Sequence, residues 1–79
     1  MDIKIYTTPG CFYCEQMKEL CKRAEVEYES EEIDSEELSL IYPDAKSYPY
    51  VIIDGEEIGG IVDAAKYFIK KGLVSARKD

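Results

Sequence analysis

Apolar and polar side chains alternate from the start of the chain, with Ile3 and Ile5 on one face of an extended segment and Lys4 and Tyr6 on the other. This period of two predicts a first strand over residues 2–7. Pro9-Gly10 marks a turn. From Phe12 to about Ala24 the period lengthens: Cys14, Met17, Cys21 and Ala24 recur at helical spacing, with Leu20 beside them. An amphipathic helix of about three turns is predicted there. Glu15 and Glu19 stand opposite Lys18, Lys22 and Arg23 in pairs suited to its exposed face.

Val26-Glu27-Tyr28-Glu29 reads as a second strand, extending toward Ile33. Asp34 or Ser35 then caps a short helix with acids in its first turn. Leu38 and Ile41 are expected to face inward on it, and Pro43 to stop it. The β-branched run Pro49-Tyr50-Val51-Ile52-Ile53 predicts a strand buried on both faces. Asp54-Gly55 is a hairpin turn signal, and Glu56-Glu57-Ile58-Gly59 its antiparallel partner. After Gly59-Gly60 a last amphipathic helix is predicted from about Asp63 to Lys71, with Ala64, Ala65, Phe68 and Ile69 as its inner stripe and Gly72 at its end. The tail Ser75–Asp79 is expected to fray. The order is βαβαββα, an α/β arrangement with no linker or repeat.

A chain of 79 residues makes one domain, here taken as 1–79. At that size only about 60% of the unfolded surface is buried, so the core must be small. The net charge of −7 argues against nucleic acid or an anionic membrane as partner, because both repel such a surface. No histidine is present, which removes Ser–His and Cys–His nucleophilic pairs and His metal ligation. Three cysteines do not make the even set of a secreted disulfide framework. Met1-Asp2-Ile3-Lys4 lacks the basic and apolar regions of a signal peptide, and no apolar run approaches the roughly 20 residues of a membrane helix. A reducing cytoplasm is the expected compartment.

The chemistry concentrates in Cys11-Phe12-Tyr13-Cys14, at the joint between the first strand and the first helix. Two cysteines three apart in that context point to dithiol–disulfide exchange. Cys11 falls at the helix N-terminus, where unpaired N–H groups favour a thiolate, and Cys14 lies almost one turn further in. Zinc is the main rival, but a closed site needs four ligands and only Cys21 remains. Cys21 continues the inner stripe of the helix and reads as a small buried hydrophobe. Tyr48-Pro49, by itself, is an ordinary strand start.

Taken together, Cys11-Phe12-Tyr13-Cys14 after the first strand, Tyr48-Pro49 before the third, and Gly59-Gly60 with Asp63 before the last helix resemble the glutaredoxin family over nearly the full chain. The resemblance is to its small dithiol members of bacteria and phages. It implies a thioredoxin-like fold, with a four-stranded mixed sheet flanked by helices on both faces and with Pro49 cis against the sulfurs. It also implies an enzyme, a glutathione-dependent thiol–disulfide oxidoreductase of cell redox homeostasis and electron transport, with Cys11 as nucleophile and Cys14 as the resolving thiol. Its partners would be glutathione as co-substrate and disulfide-containing proteins, ribonucleotide reductase being a frequent client in the family. It would act as a monomer and hold no metal.

The same resemblance implies how glutathione is held. The backbone of Tyr48, just before Pro49, would pair with the tripeptide's cysteine, and Gly60 would let that backbone approach. The N–H groups of Val62 and Asp63 would hold the γ-glutamyl carboxylate, the Asp63 side chain would face the ammonium, and Tyr13 would line the groove. Three positions depart from the family. Phe12 replaces the usual proline, Thr7 and Thr8 stand where many relatives carry a base, and Ile61-Val62 replace polar residues. Lys46 is then the nearest basic candidate for the glycyl carboxylate. Two other functions stand beside this one. In the first, the chain carries a [2Fe–2S] cluster ligated by Cys11 and glutathione from two chains. In the second, it is a redoxin reduced by thioredoxin reductase.

Overall fold

A computed structural model of the chain describes residues 1–45 and 47–74; Lys46 and the tail Ser75–Asp79 lie outside the described residues. The elements are β1 (Ile3–Thr7), α1 (Phe12–Ala24), β2 (Glu29–Glu32), α2 (Ser35–Ile41), β3 (Tyr50–Ile53), β4 (Glu56–Gly59) and α3 (Ile61–Lys70). The strands form one mixed sheet in the order β2-β1-β3-β4. β2 runs parallel to β1, with Thr7 opposite Glu32, while β3 runs antiparallel to β1, with Tyr6 opposite Tyr50.

Alternation along the strands divides the core in two. On one face Ile3, Ile5, Val51 and Ile53 pack with Met17, Cys21 and Ala24 of α1 and with Ala64 and Phe68 of α3. On the other, Tyr6, Tyr50 and Ile52 pack with Ile33 and with Leu38 of α2. Every residue of β3 is buried, as its β-branched sequence predicts for a central strand. The inner stripe of α1 is also as its periodicity predicts, with Cys14, Met17, Cys21 and Ala24 all buried.

Several elements differ from their sequence patterns. The second strand lies at Glu29–Glu32, three residues beyond Val26, and all four of its side chains are exposed. It is held through backbone pairing to β1, while Val26 and Tyr28 pack on the core from the preceding loop. Helix α3 begins at Ile61, with Gly60 as its N-cap, because the glycine pair lies at the strand end rather than in a longer loop. Ile69 is 38% exposed and so falls outside the inner stripe of α3, where Ile61 and Tyr67 pack instead. Ile41 is half exposed, since α2 is too short to bring both Leu38 and the residue three further on against the sheet.

The hairpin turn has Asp54 at φ 51° and Gly55 at φ 81°, the left-handed pair that a two-residue turn between twisted strands requires. At the other end of the hairpin the pairing steps from Glu57 to Gly59 opposite Ile52 and Val51, leaving Ile58 as an extra residue. Such a bulge re-aims the end of its strand. Here it directs Gly59 toward the first turn of α3.

Candidate active site

One end of the sheet collects every segment that the sequence singles out. β1 leads through Thr7 to Cys11, β3 starts just after Pro49, and β4 ends at Gly59, one residue before the cap of α3. Cys11 is the N-cap of α1 and has extended backbone, so its side chain projects from the helix end. The Cys14 backbone N–H donates to Cys11 Sγ at 3.1 Å, and the Glu15 N–H reaches the Cys11 carbonyl at 3.4 Å. The first of these is the orphan N–H of a helix terminus put to use on sulfur, where it favours developing thiolate charge. Cys11 and Cys14 are joined as a disulfide, with their Cα atoms 5.3 Å apart. Cys11 is partly exposed and Cys14 is buried, so an incoming group meets Cys11 first.

Phe12, which follows Cys11, is 67% exposed, and its ring meets that of Tyr13 edge-on at 5.4 Å. Cys21 is fully buried two turns deeper, where burial pushes its thiol up to about 11. It therefore remains a protonated apolar group away from the exposed sulfur.

The Tyr48–Pro49 peptide bond is cis, and Pro49 is fully buried. The Tyr48 hydroxyl donates to the Ile33 carbonyl, and the Ile33 N–H donates to the Thr7 carbonyl at 3.0 Å. The loop before Pro49 is thus tied through the end of β2 to the end of β1. Burial, and secondarily the Asp34 carboxylate, push the Tyr48 hydroxyl up from its ordinary value, which keeps it a donor. Tyr50 donates to Glu57 Oε1 at 2.6 Å, and burial followed by that bond pushes it up to about 12.

Beside the disulfide an open groove of about 470 Å³ is lined by Tyr13, Ser47, Tyr48, Gly60, Ile61, Val62 and Asp63. Five of the sequence-derived candidates, Tyr13, Tyr48, Gly60, Val62 and Asp63, therefore share one cleft, with Pro49 buried next to it. The first helical bond of α3 runs from Ala64 N to Gly60 O, so the N–H groups of Ile61, Val62 and Asp63 precede its ladder. No side chain caps that end of the helix. The Asp63 carboxylate lies over Gly59 instead.

Gly59 is the position where the chain most needs glycine. Its φ is +120°, and a Cβ there would stand 2.6 Å from Asp63 Oδ2. Gly60 has an ordinary φ of −84°, and a Cβ on it would meet only the Pro49 carbonyl at 3.9 Å. The resemblance gives Gly60 a different role, the approach of a ligand backbone, while a Gly-Gly pair closing a strand is itself a bulge signal. Ser47 and Ile61 also line the groove, though no motif in the sequence singles them out as site residues. Lys46, the basic candidate for a second carboxylate, lies outside the described residues.

Comparison with known proteins agrees with this geometry. A family model described as Glutaredoxin matches residues 3–58. Glutaredoxin 1 of Rickettsia bellii (strain RML369-C) is 36% identical over 69 residues, covering 77% of this chain and 70% of the relative. The crystal structure of Glutaredoxin 1 from Francisella tularensis complexed with cacodylate is similar at a TM-score of 0.74 and 28% identity, over 91% of this chain and 95% of that one. The thioredoxin-like protein BC3987 is similar at a TM-score of 0.65 and 33% identity, over 82% of this chain and 96% of that one. The mixed sheet with three helices is the thioredoxin-like fold. The family's chemistry is thiol–disulfide exchange, and here Cys11 and Cys14 stand at disulfide distance. From its sequence, its fold and its paired cysteines, the chain belongs to the glutaredoxin family.

Proposed function

We propose that the protein is a glutathione-dependent oxidoreductase that reduces protein disulfides and glutathione mixed disulfides. The observation that carries this reading is the cleft itself: a partly exposed Cys11 near a groove bounded by Tyr48 and by the free N–H end of α3. A helix N-terminus favours a carboxylate, and Val62 and Asp63 N–H groups are the donors it would use. The Asp63 carboxylate is the matching partner for an ammonium, and the Tyr48 backbone is the edge along which a short peptide would pair.

In the dithiol route, the Cys11 thiolate attacks one sulfur of the client disulfide, forming a Cys11–client bond and expelling the other client sulfur as a thiolate that takes up a proton. Cys14, losing its proton, then attacks Cys11 Sγ, which closes the Cys11–Cys14 bond and releases the second client thiol. One glutathione thiolate attacks Cys11 Sγ, releasing Cys14 as a thiol and leaving glutathione bonded to Cys11; a second attacks the sulfur of that bound glutathione, giving oxidised glutathione and releasing the Cys11 thiolate. Two electrons pass from two glutathiones to one client disulfide. With a glutathionylated client, Cys11 takes the glutathionyl group directly, a second glutathione removes it, and Cys14 is not needed. The reading includes a reducing cytoplasm as compartment and ribonucleotide reductase among the clients. For the latter the check is turnover of that enzyme with this protein, glutathione and glutathione reductase as sole electron source.

The deciding experiment follows reduction of a glutathionylated substrate with glutathione and glutathione reductase, and in parallel with thioredoxin reductase alone. Turnover with glutathione is the expected result. Turnover only with thioredoxin reductase would overturn the assignment.

A further inference from the structure

We infer that the preferred clients are polypeptide segments with Lys or Arg flanking the attacked disulfide and an apolar side chain beside the reacting sulfur. The inference rests on the thiol–disulfide reading of Cys11. It starts from what surrounds that sulfur on the surface. Phe12, Tyr13 and Val62 are 67%, 59% and 63% exposed, an apolar rim around the site. A client sulfur that reaches Cys11 Sγ brings its flanking residues close to the first turn of α1, where Phe12 and Tyr13 are exposed. The occupant of this rim is therefore the client segment itself, and an apolar neighbour of its cysteine would shed water against Phe12.

Charge sets the rest of the segment. The first turns of all three helices lie at this end of the sheet, and they carry Glu15, Glu36 and Glu37, and Asp63. Glu32 pairs opposite Thr7 at the same end, and Asp34 is close enough to influence the Tyr48 hydroxyl. Helix α2 stays there along its length, because Tyr42 at its C-cap packs on the rings of Tyr6 and Tyr50 at 5.7 and 5.6 Å. Of the described cations, Lys66 stands exposed on α3 three residues past Asp63, and the others are elsewhere or engaged, Lys71 over the Tyr67 ring. Lys22 and Arg23 close α1, Lys70 closes α3, Lys4 bonds Glu31 at 2.9 Å on the sheet, and Lys18 reaches Glu15 at 3.5 Å. Between Arg23 and Lys66 the sequence holds thirteen acids and one base, Lys46, and Glu32, Asp34, Glu36, Glu37 and Asp63 are the acids among them that the fold places at this end. Acids in first helical turns suit the helix dipoles. Gathered at one end of a sheet, they also attract a cationic segment and repel an anionic one, an effect on encounter rates of about 10-fold to 10³-fold that salt removes.

The test uses three disulfide peptides of equal length, reduced by the protein with glutathione and glutathione reductase. One has Lys flanks with Leu beside the cysteine, one Glu flanks with Leu, and one Lys flanks with Ser. At low ionic strength kcat/KM should favour Lys over Glu flanks by about tenfold or more and should converge at high ionic strength. Glu36→Gln with Glu37→Gln, both exposed and neither the helix cap, should lower that ratio. Phe12→Ala should erase the preference for Leu over Ser and leave the Lys-to-Glu ratio in place. Reduction of the Lys-flanked and Glu-flanked peptides at one rate, or faster reduction of the latter, overturns the inference alone. Failure to reduce any peptide overturns the redox reading on which it rests.

Discussion

Gly59 and Asp63 are fitted to each other: a Cβ on Gly59 would stand 2.6 Å from the Asp63 carboxylate, with the Gly59 backbone at φ +120°. The bulge at Ile58 that ends β4 and the first turn of α3 are thereby coupled at the edge of the groove. Gly59→Ala is expected to cost about 2 kcal/mol, from the backbone strain and the displaced carboxylate. In a domain of this size each kcal/mol lowers Tm by about 4–8 °C. Gly60→Ala, with an ordinary φ and 3.9 Å to its nearest neighbour, should keep its Tm and instead raise KM for glutathione. Thermal melts beside glutathione kinetics separate the two, and equal Tm losses in both variants would contradict the assignment of the steric demand to Gly59.

The exposure difference between Cys11 and Cys14 assigns their roles. Cys14→Ser should retain reduction of a glutathionylated peptide and lose most turnover of an intramolecular protein disulfide. Cys11→Ser should lose both. Mass spectrometry of the Cys14→Ser protein with a disulfide client should trap a mixed disulfide on Cys11. Trapping on Cys21 instead would contradict the burial of that thiol.

Cys21 also gives the fold an alkaline limit. Its thiol is pushed from 9.0 up to about 11 by burial, so between those values the unfolded chain has lost its proton and the folded chain still holds it. Stability is then complete below about pH 9 and falls as pH rises toward 11. Two units correspond to a loss on the order of 2–3 kcal/mol. Tyr50, pushed up from 10.0 to about 12, adds a later loss of the same sign. Urea unfolding of the oxidised protein across this range should show the decline, and Cys21→Ala should flatten its first part relative to its own value at neutral pH.

Helix α2 spans seven residues and relies on its cap, where Asp34 Oδ1 accepts the Glu37 N–H at 2.8 Å. Asp34→Ala should cost about 1 kcal/mol, and Asp34→Asn or Asp34→Ser should recover most of it. Urea midpoints would measure both. An unchanged midpoint in Asp34→Ala would mean that α2 is held by Leu38 and its neighbours alone.

Much of this protein is written in local pattern. Alternation at Ile3–Tyr6, the change to helical spacing after Phe12, the β-branched run at Val51–Ile53 and the Asp54-Gly55 turn are each short-range signals, and each is realised. The disulfide pair is equally local, because three residues at a helix start bring two side chains together whatever the rest of the chain does. Tertiary structure decided what depends on partners distant in sequence. β2 is an all-exposed edge strand, Glu29–Glu32, that pairs through its backbone and so leaves no apolar period to read. Whether Ile41 or Ile69 is buried depends on how far each helix overlaps the sheet, which hydrophobicity does not encode. The Tyr48–Ile33–Thr7 hydrogen bonds, the contact of Gly59 with Asp63 and the placing of Glu32, Glu36, Glu37 and Asp63 at the same end of the sheet as Cys11 all follow from strand order and direction. The sequence by itself determined that there is a dithiol at a helix start; the sheet determined which distant segments, Tyr48-Pro49 and Gly59-Gly60, share its end of the molecule, because strand order and direction are set by pairing between residues far apart in the chain.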